Sequence, residues 1–464
     1  MSTKAGKRTL LVNPGYSFVK DSIWASVASI MPPLGLASLA AMLERHEYPV
    51  AIKDFQADSG GFDADCAFIH EHPYDFLGIS ATTPQIYAGF EIAKAAKQSH
   101  PEVVTIFGGV HPSVMPEEVL SSGCCDIVVR GEGESTLLDI LAGKPLPAIQ
   151  GISYLAEGGI VHNPEREPVE DLDALPDPAY HLLPVSKYFP AVGSYKQLPA
   201  ISIIGTRGCP GKCTYCHRQL GKKVRTRSGG RIADEVKRLY DQYGIMEIAF
   251  YDDTFTVRKK EVYAFTKKLK EYSLPITWAC FSRVDSVDYP LLKEMADAGC
   301  HQILFGVESA DSDILRNIRK NIRMEQVKKA VADAQKAGID VRVSLMLGNP
   351  GETHESVRKT QRFVKELNPD LVMYNLTTPY PGTEMFDWAD GNGYLLTKDW
   401  SMYDLRHPVM ELPTISNEEL SKLYTRCYRD FYLRPAYILK KFLKLRTKND
   451  IINALRGVRA IFKT

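Results

Sequence analysis

Apolar and amphipathic stretches alternate along the first 145 residues of the chain. The apolar stretches are "TLLVNPG", "PVAIKDF", "FLGISAT", "VTIFGG" and "DIVVRGEG", and most end at Gly, Pro or Asp. Short unbroken apolar runs are typical of buried parallel strands. Between them, "LGLASLAAMLERH" and "QIYAGFEIAKAAKQ" place their apolar residues on one helical face. The pattern predicts an N-terminal α/β domain, residues 1–145, built on a doubly wound parallel sheet.

Residues 199–385 repeat the alternation six times. The apolar runs are "AISIIG", "IMEIAFYDD", "PITWACFSRVD", "HQILFGVES", "DVRVSLMLGNPGE" and "LVMYNLTTPYPGTE", and helical patterns separate them. Six strand–helix units in succession predict a partial (β/α)6 barrel of the TIM type. Barrel enzymes keep their chemistry at the carboxyl ends of the strands, so we expect the site there.

The two remaining segments lack this alternation. Residues 146–198 combine a hairpin pattern, turning at Gly158 and Gly159, with the aperiodic "LDALPDPAYHLLP", which predicts a linker packed on the surface. Residues 386–464 are predicted to be mainly helical, with a role as a cap or in substrate binding. Residues 434–463 hold nine Lys or Arg and one acid. This favours a helix with a solvated basic face, and a peripheral contact with an acidic substrate or anionic lipid stays open.

Composition and charge narrow the function classes. The 464 residues are 44% hydrophobic with a net charge of +1, which provides ample core and no global field for nucleic acid, so no nucleic-acid partner is expected. No apolar run approaches the roughly 18 residues of a membrane span, and the N-terminus lacks the features of a signal peptide. Nine scattered cysteines, an odd number, predict a reducing, cytoplasmic location in which clustered cysteines bind metal or do redox chemistry.

Three cysteines follow the first predicted barrel strand in "TRGCPGKCTYCHRQ". Their spacing is C-x3-C-x2-C, at Cys209, Cys213 and Cys216. A zinc site needs a fourth ligand, but His217 is too close to complete a tetrahedron and Cys280 lies two strands away. Thiolates are the usual ligands of iron–sulfur clusters, and three thiolates on four irons leave one iron open for catalysis. Structural zinc with a distant ligand is the alternative.

With an aromatic residue before its last cysteine, this motif resembles the radical S-adenosylmethionine superfamily. The resemblance implies a [4Fe-4S] cluster on the three cysteines and S-adenosylmethionine chelated to the open iron. It implies contacts to the adenine, methionyl amine, carboxylate and ribose of S-adenosylmethionine from Tyr215, Asp252, Asp253, Arg283, Glu308, Ser309, Gly348 and Pro350. Because "DD" replaces the commoner Gly-Gly-Glu, a solvated loop is the alternative reading of the two aspartates.

The N-terminal segments "PPLGLASLAAMLE", "GISATT", "GGVHPSVMPEEVL" and "GEGEST", and "VRTRS" after the cysteines, resemble cobalamin-dependent members of this superfamily. The implied cobalamin contacts are the small or polar residues at strand ends: Asn13, Pro14, Ser80, Thr82, Thr83, Gly108, Gly109, Val110, Gly131, Glu132, Gly133 and Glu134. The Asp-x-His-x-x-Gly motif of mutase-type domains is absent after the first strand. We therefore expect base-off cobalamin without a protein histidine ligand. The alternatives are a domain that has lost cobalamin, and a helix-capping role for Glu132 and Glu134.

The resemblance implies a methyltransferase. One S-adenosylmethionine methylates cobalamin, and a second is cleaved to a 5′-deoxyadenosyl radical. The radical activates an unactivated carbon or phosphorus centre of a small-molecule or lipid-like substrate, which then takes the methyl group from methylcobalamin. A reductase or flavodoxin-type electron donor is implied as partner. Two alternatives remain, a cyclase or rearrangement enzyme without methyl transfer, and a cobalamin and iron–sulfur sensor. The six-strand pattern argues against the sensor.

Overall fold

The computed structural model describes residues 7–15, 29–58, 60–191 and 193–444. Most of the basic segment 434–463, including the predicted helical face of Ile451, Leu455, Val458 and Phe462, lies outside these ranges.

The N-terminal domain is a seven-stranded sheet with helices on both faces. Its first five strands are parallel, in the order β2-β1-β3-β4-β5, which confirms the doubly wound prediction. The strands are β1 (Thr9–Asn13), β2 (Val50–Asp54), β3 (Phe76–Ser80), β4 (Val104–Gly108) and β5 (Ile127–Val129). The helices are α1 (Leu34–Arg45), α2 (Phe62–Glu71), α3 (Ile86–Ser99), α4 (Val110–Val114), α5 (Pro116–Ser121) and α6 (Glu134–Leu141). Two separate apolar clusters lie on the two faces of the sheet.

The predicted hairpin extends this sheet. Strand β6 (Ile152–Ala156) pairs antiparallel with β5, and β7 (Gly159–His162) pairs antiparallel with β6. The sheet therefore continues past residue 145, into the segment that the sequence placed in a surface linker. The reason is that Ile152 and Ser153 satisfy the open edge of β5 and are themselves buried.

The second domain is a six-stranded parallel sheet in the order β8-β11-β12-β13-β14-β15, which confirms the predicted partial barrel. Its strands are β8 (Ala200–Ile203), β11 (Glu247–Phe250), β12 (Thr277–Ser282), β13 (Cys300–Glu308), β14 (Asp340–Leu347) and β15 (Leu371–Leu376), and a short antiparallel ribbon joins β9 (Thr206–Arg207) to β10 (Arg225–Thr226). The helices are α7 (Gly229–Tyr243), α8 (Lys259–Tyr272), α9 (Tyr289–Asp297), α10 (Ser312–Asn317), α11 (Met324–Ala337) and α12 (His354–Leu367).

Burial alternates along the barrel strands. In β14, Val341, Val343 and Leu345 are buried against the helices, whereas Arg342 and Ser344 keep accessible surface. Because successive side chains of a strand point to opposite faces, the accessible set faces the barrel interior, which we call the lumen. The lumen set on β12 to β15 comprises Ala279, Phe281, Leu304, Gly306, Arg342, Ser344, Met346, Met373 and Asn375.

The C-terminal region joins the two domains. Its helices are α13 (Glu384–Gly391), α14 (Asn417–Tyr432) and α15 (Pro435–Lys444). Along the free edge of β15, the hydroxyls of Tyr428 and Tyr432 each accept from and donate to the strand backbone, at 2.7–3.1 Å. Trp400 and Tyr403 pack into the core of the N-terminal domain. Among the helices of the described ranges, none has the length and hydropathy needed to cross a membrane.

Candidate functional site at the facing strand ends

The cysteine loop begins where β8 ends, and the β9/β10 ribbon closes it. Gly208 has a φ of +89°, and a Cβ there would lie 2.4 Å from the carbonyl oxygen of Lys223, so only glycine fits this close backbone approach. The backbone N–H of Cys209 donates to the carbonyl of Gly221 (3.2 Å), and Arg225 Nη2 donates to that of Leu220 (2.6 Å). The loop is therefore a closed unit at the catalytic end of the barrel.

Two of the three thiols lie beside Gly211, and Cys216 is near enough to both for their charges to raise its pKa. A Cβ on this glycine would be 3.3 Å from Cys209 Sγ and 3.9 Å from Cys213 Sγ. In the described ranges no three His, Cys, Asp or Glu side chains converge as the ligands of one metal ion. In a cubane each thiolate binds its own iron, so the three sulfurs need not converge on one point. Burial and then the charge of Asp253 raise the pKa of Cys216 to about 12, so metal binding has to displace a proton there.

Tyr215 and Glu308 meet beside the cysteine loop, together with Lys320, which the sequence analysis missed. Tyr215 Oη donates to Glu308 Oε1 (3.2 Å), and Lys320 Nζ donates to the same oxygen (3.0 Å). Glu308 has a φ of +65° at a register shift between β13 and β14, a strained backbone of the kind found at ligand sites. Burial would lower the pKa of Lys320, but the charge of Glu308 outweighs it and holds the pKa above its usual value.

The predicted contact Arg283 is held in place by Asp285. Arg283 Nε and Nη2 donate to the two carboxylate oxygens of Asp285 at 2.9 and 2.8 Å. The remaining nitrogen, Nη1, lies 3.5 Å from a Cβ built on Gly211, and so it faces the thiols. A guanidinium anchored in this way can offer Nη1 to a carboxylate placed over the cysteine loop.

The two predicted aspartates occupy different environments. The carboxylate of Asp252 is buried and accepts from the backbone N–H of Gly205 at 3.1 and 3.2 Å, so it ties β11 to β8 and has no free surface for a ligand. Asp253 is exposed and close enough to Cys216 to raise its pKa. Of the pair, Asp253 lies on the side of the thiols, whereas the Asp252 carboxylate is occupied by the backbone of Gly205.

The predicted contacts after β13 and β14 are largely packed into the protein. Ser309 Oγ lies 3.2 Å from Thr360 Oγ1 of α12 and is buried, so its side chain is turned away from the thiols. In "LGNPGE" the buried Glu352 carboxylate accepts from the backbone of Gly348 (2.7 Å), and burial raises its pKa to about 7. The Pro350 carbonyl accepts from Asn317. Only the backbone of this turn remains for a ligand.

A cavity of about 1140 Å³ opens beside the cysteine loop. Its wall includes Gly211, Arg283, Asp285 and Lys320, so it reaches both the thiols and the Tyr215–Glu308–Lys320 cluster. Eight of its lining side chains are Lys or Arg and two are acidic. The cavity is thus large enough for a cofactor-sized molecule and is positively charged.

The strand ends of the N-terminal sheet meet on one edge, but several predicted contacts there are hydrogen-bonded within the protein. Asn13 Nδ2 donates to buried Asp54 (2.8 Å), which also accepts from Tyr188 Oη (2.9 Å). Gln85 Nε2 donates to Asn13 Oδ1 (3.1 Å), and Gln85 Oε1 accepts from Thr82 Oγ1 (2.7 Å). The side chains of Asn13 and Thr82 therefore fix the loops, and the Pro14 carbonyl also accepts from Gln85 Nε2 (2.7 Å).

The residues of the loop after β4 are likewise in contact with other parts of the protein. A Cβ on Gly109 would lie 2.9 Å from the carbonyl oxygen of Ala81 and 3.0 Å from Ser80 Oγ, so glycine here allows two strand ends to touch. Buried His111 lies 3.3 Å from Thr83 Oγ1 and edge-on to Trp400. Gly108 and Val110 flank this contact and keep partial exposure. His111 is thus part of the contact between the N-terminal domain and the C-terminal region.

The carboxylates of Glu132 and Glu134, which the resemblance implies as cobalamin contacts, form ion pairs with arginines of the β9/β10 ribbon. Glu132 accepts from Arg225 Nη1 (3.0 Å) and Nη2 (2.6 Å), and Glu134 accepts from Arg207 Nη2 (2.6 Å). All four side chains are mostly buried. Arg207 and Arg225 belong to the ribbon that closes the cysteine loop, so these ion pairs join that loop to the N-terminal strand ends. Gly131, just before Glu132, has open space in front of its Cα, and Gly133, between the glutamates, packs on Leu39.

Comparisons with known proteins agree with both halves of this site. Residues 21–141 match the family model of the B12 binding domain, and residues 203–364 match that of the Radical SAM superfamily. An uncharacterized methyltransferase of Pyrococcus horikoshii is 38% identical over 94% of this chain and 95% of its own length. The anaerobic magnesium-protoporphyrin IX monomethyl ester cyclase of Rubrivivax gelatinosus is 27% identical over 94% of this chain and 79% of its own.

A phosphonate enzyme and a solved structure complete the comparison. The cytidylyl-2-hydroxyethylphosphonate methyltransferase of Streptomyces wedmorensis is 26% identical over 93% of this chain and 91% of its own. The structure of the cobalamin-dependent S-adenosylmethionine radical enzyme OxsB, with aqua-cobalamin and S-adenosylmethionine bound, superposes with a TM-score of 0.77. It covers 99% of this chain and 72% of its own at 18% identity, so it supports the fold.

Proposed function

The chain belongs to the cobalamin-dependent radical S-adenosylmethionine enzymes, and from this we propose that it methylates an unactivated carbon or phosphorus centre of a small-molecule or lipid-like substrate. The observation that carries the proposal is the set of ion pairs between Glu132, Glu134, Arg207 and Arg225. These pairs hold the loop of three thiols against the strand ends that would carry cobalamin. A methyltransferase of this kind needs both cofactors within reach of one substrate.

The residues at the site fit an iron–sulfur cluster and cobalamin, and we infer the role of each residue from its position. When bound, the cluster and cobalamin supply reductive cleavage of one S-adenosylmethionine and methyl transfer from another. The three cysteines would hold the cluster, since they lie on one closed loop, with Cys209 and Cys213 beside Gly211. Arg283, oriented by Asp285, would bind the methionyl carboxylate, and Asp253 the amine. Glu308, held by Tyr215 and Lys320, would accept from ribose hydroxyls.

We propose that cobalamin binds base-off, without a protein histidine below the metal. The sequence from Pro14 to Leu34, which follows β1, contains no histidine. The histidine at the other strand ends, His111, is buried against Thr83 and Trp400 and lies 3.7 Å from a Glu118 carboxylate oxygen. These contacts leave His111 no open path to a ligand at the sheet edge.

The basic cavity supports an acidic electron donor of the flavodoxin type. Lys212 and Arg323 are exposed in the wall of this cavity, and Gly211 in the same wall touches the thiols. A negatively charged donor surface would be attracted to this wall and would come close to the cluster loop.

A cyclase that uses the same cofactors without methyl transfer is the second candidate. The similarity to the magnesium-protoporphyrin cyclase, over nearly the whole chain, favours it. A sensor has less support, because the loops after the barrel strands carry the anchored Arg283 and the Glu308 cluster, which signalling alone does not need.

The coproducts of turnover separate these candidates. Reconstituted enzyme is incubated anaerobically with reductant, methyl-labelled S-adenosylmethionine and an extract of its source cell. Methyl transfer produces S-adenosylhomocysteine and 5′-deoxyadenosine together, in roughly equal amounts, and moves label into an extract compound. A cyclase produces 5′-deoxyadenosine without S-adenosylhomocysteine. Sustained turnover with no label in any extract compound and no S-adenosylhomocysteine would refute the methyltransferase proposal.

A further inference from the structure

Arg342 lies inside the barrel, and no residue of the described ranges pairs a carboxylate with it. It is on β14, in the lumen set; the residue is half-buried and its Nε is fully buried. Within the described ranges no Asp or Glu forms an ion pair with it, and the ionisable groups that act on its pKa are Tyr432, Tyr251 and Tyr428. A buried guanidinium without a counter-charge is costly, and side chains of this kind are almost always paired.

The hydrogen bonds of Arg342 are poor substitutes for an ion pair. Nη1 reaches Gln302 Oε1 only at 3.5 Å, and Nη2 donates to the thioether sulfur of Met373, a weak acceptor, at 2.6 Å. The buried Nε has no partner at all in the described part of the chain. Burial lowers the pKa of Arg342, and no carboxylate opposes that shift. Several N–H donors are therefore left for a ligand.

Other mostly buried arginines at the site show what Arg342 lacks. Arg225 pairs with Glu132, Arg227 with Glu235 and Asp177, and Arg283 with Asp285. Each of these has one or two carboxylates to compensate burial. Arg130 also lacks a carboxylate in the described ranges, but its guanidinium donates to the backbone carbonyls of Ile152 and Asn163. Arg342 differs from both kinds, because it has neither a carboxylate nor a backbone carbonyl there.

The space around Arg342 is mainly apolar. A small void of about 20 Å³ borders Arg342, and its wall includes Ala279, Phe281 and Leu304 together with the polar residues Ser194, Gln302 and Tyr251. Further up the lumen lie Met346 and Gly306, before the strands end. Ligand sites typically combine an apolar wall with one or two polar groups that fix orientation. The lumen has this composition, with one cation at depth.

We propose that Arg342 binds the acid group of the substrate, a carboxylate or phosphate carried on an apolar body that extends up the lumen past Phe281, Leu304 and Met346. The identity of this ligand as the substrate rests on the proposed function. Along β14, Leu347 at the strand end lies five residues beyond Arg342, about 17 Å at the usual rise. The acid group is thus remote from the reacting centre, where its binding energy positions the substrate.

The test uses three ten-carbon probes, decanoate, decyl phosphate and decanol. Binding to the cofactor-reconstituted enzyme is measured by calorimetry below the micelle concentration, with no reductant. Wild type is compared with Arg342→Met, Arg342→Lys and the control Arg362→Met, which removes the same charge from an exposed position on α12. The more tightly bound of the two acids identifies the acid group.

Wild type and Arg362→Met should bind an acidic probe about tenfold to a hundredfold more tightly than decanol, as a charge-assisted hydrogen bond predicts. Arg342→Met should bind the acids and decanol with equal affinity, and Arg342→Lys should keep part of the preference for the acids. Without probe, Arg342→Met should unfold at an unchanged or higher temperature, because it no longer buries an uncompensated charge. The proposal is overturned if wild type shows no acid preference, binds no acidic probe, or shares its preference with Arg342→Met. Because no turnover is involved, failed methyl transfer would not affect this result.

Discussion

The Arg225→Gln variant tests whether the ribbon ion pairs hold the cysteine loop. Arg225 is 4% exposed and donates four hydrogen bonds, to both oxygens of Glu132 and to the carbonyls of Val169 and Leu220. Its bond to Leu220 closes the far end of the loop that carries the thiols. Arg227, two residues on, is 10% exposed and pairs with Glu235 and Asp177, outside the loop. It provides a matched control.

Arg225→Gln and the control Arg227→Gln should both lose stability, but only Arg225→Gln should loosen the cysteine loop. Removing one partner of a buried ion pair costs about 3–5 kcal/mol of stability. In Arg225→Gln the Glu132 carboxylate would still have Arg207 at 3.4 Å and the Val169 N–H at 2.9 Å, so we expect a cost near the lower value. A charge-assisted bond such as that from Arg225 to Leu220 contributes about 1.5–3 kcal/mol. Its loss should make loop opening about ten to a hundred times more frequent.

Iron release provides the readout. Anaerobically reconstituted protein is mixed with a chromogenic iron chelator, and the rate of chelation is followed beside the thermal unfolding temperature. Arg225→Gln should release iron at least about tenfold faster than wild type, while Arg227→Gln unfolds at a lower temperature but releases iron at the wild-type rate. Equal release from the two variants would mean that general destabilisation, rather than the bond to Leu220, controls the loop, and the reasoning would be refuted.

Three further predictions concern the loop and its neighbours. Replacing all three loop cysteines by Ala should abolish the brown chromophore and 5′-deoxyadenosine formation; reductive cleavage by that variant would contradict the cluster assignment. Asp253→Asn should lower the affinity for S-adenosylmethionine, measured by equilibrium binding. Asp252→Asn should instead lower the unfolding temperature, because Asp252 accepts from Gly205. If Asp252→Asn lowered the affinity and Asp253→Asn did not, Asp252 rather than Asp253 would be the ligand contact. Burial raises the pKa of Glu352 to about 7, so its contribution to stability is present below about pH 4.5 and is lost as pH rises through 7. Glu352→Gln should flatten that slope in denaturant titrations, and an unchanged slope would exclude Glu352 as its source.

Local sequence was sufficient for the strands and for the cysteine loop. The apolar runs of β1 to β5 and of the six barrel strands are short, bounded and regularly spaced, and right-handed crossovers leave few ways to order them. The thiols of the loop are neighbours in sequence, so spacing alone brought them together. Lys320 was missed although it follows β13, at the end of the barrel where functional side chains gather.

The side chains at the N-terminal strand ends could not be read in this way, because their partners are far along the chain. Glu132 is 93 residues from Arg225, and Asp54 is 134 residues from Tyr188. A short polar residue after a strand has the same local signature whether it faces a cofactor or a distant side chain. Only the tertiary pairing shows that Glu132 and Glu134 are used to join the domains.

Arg342 illustrates the opposite case, in which the local pattern was plain and its meaning was not. In "DVRVSLML" a charged residue alternates with apolar ones, which is typical of a strand with one solvated face. The sheet curves, however, and α14 covers its free edge through Tyr428 and Tyr432, so the face that the alternation marks as polar becomes the lumen. In a flat sheet with one solvated face, this alternation would place the arginine in water. In this curved sheet it places the arginine in an apolar interior. In that environment an unpaired charge requires a partner, which is why Arg342 points to the chemistry of the substrate.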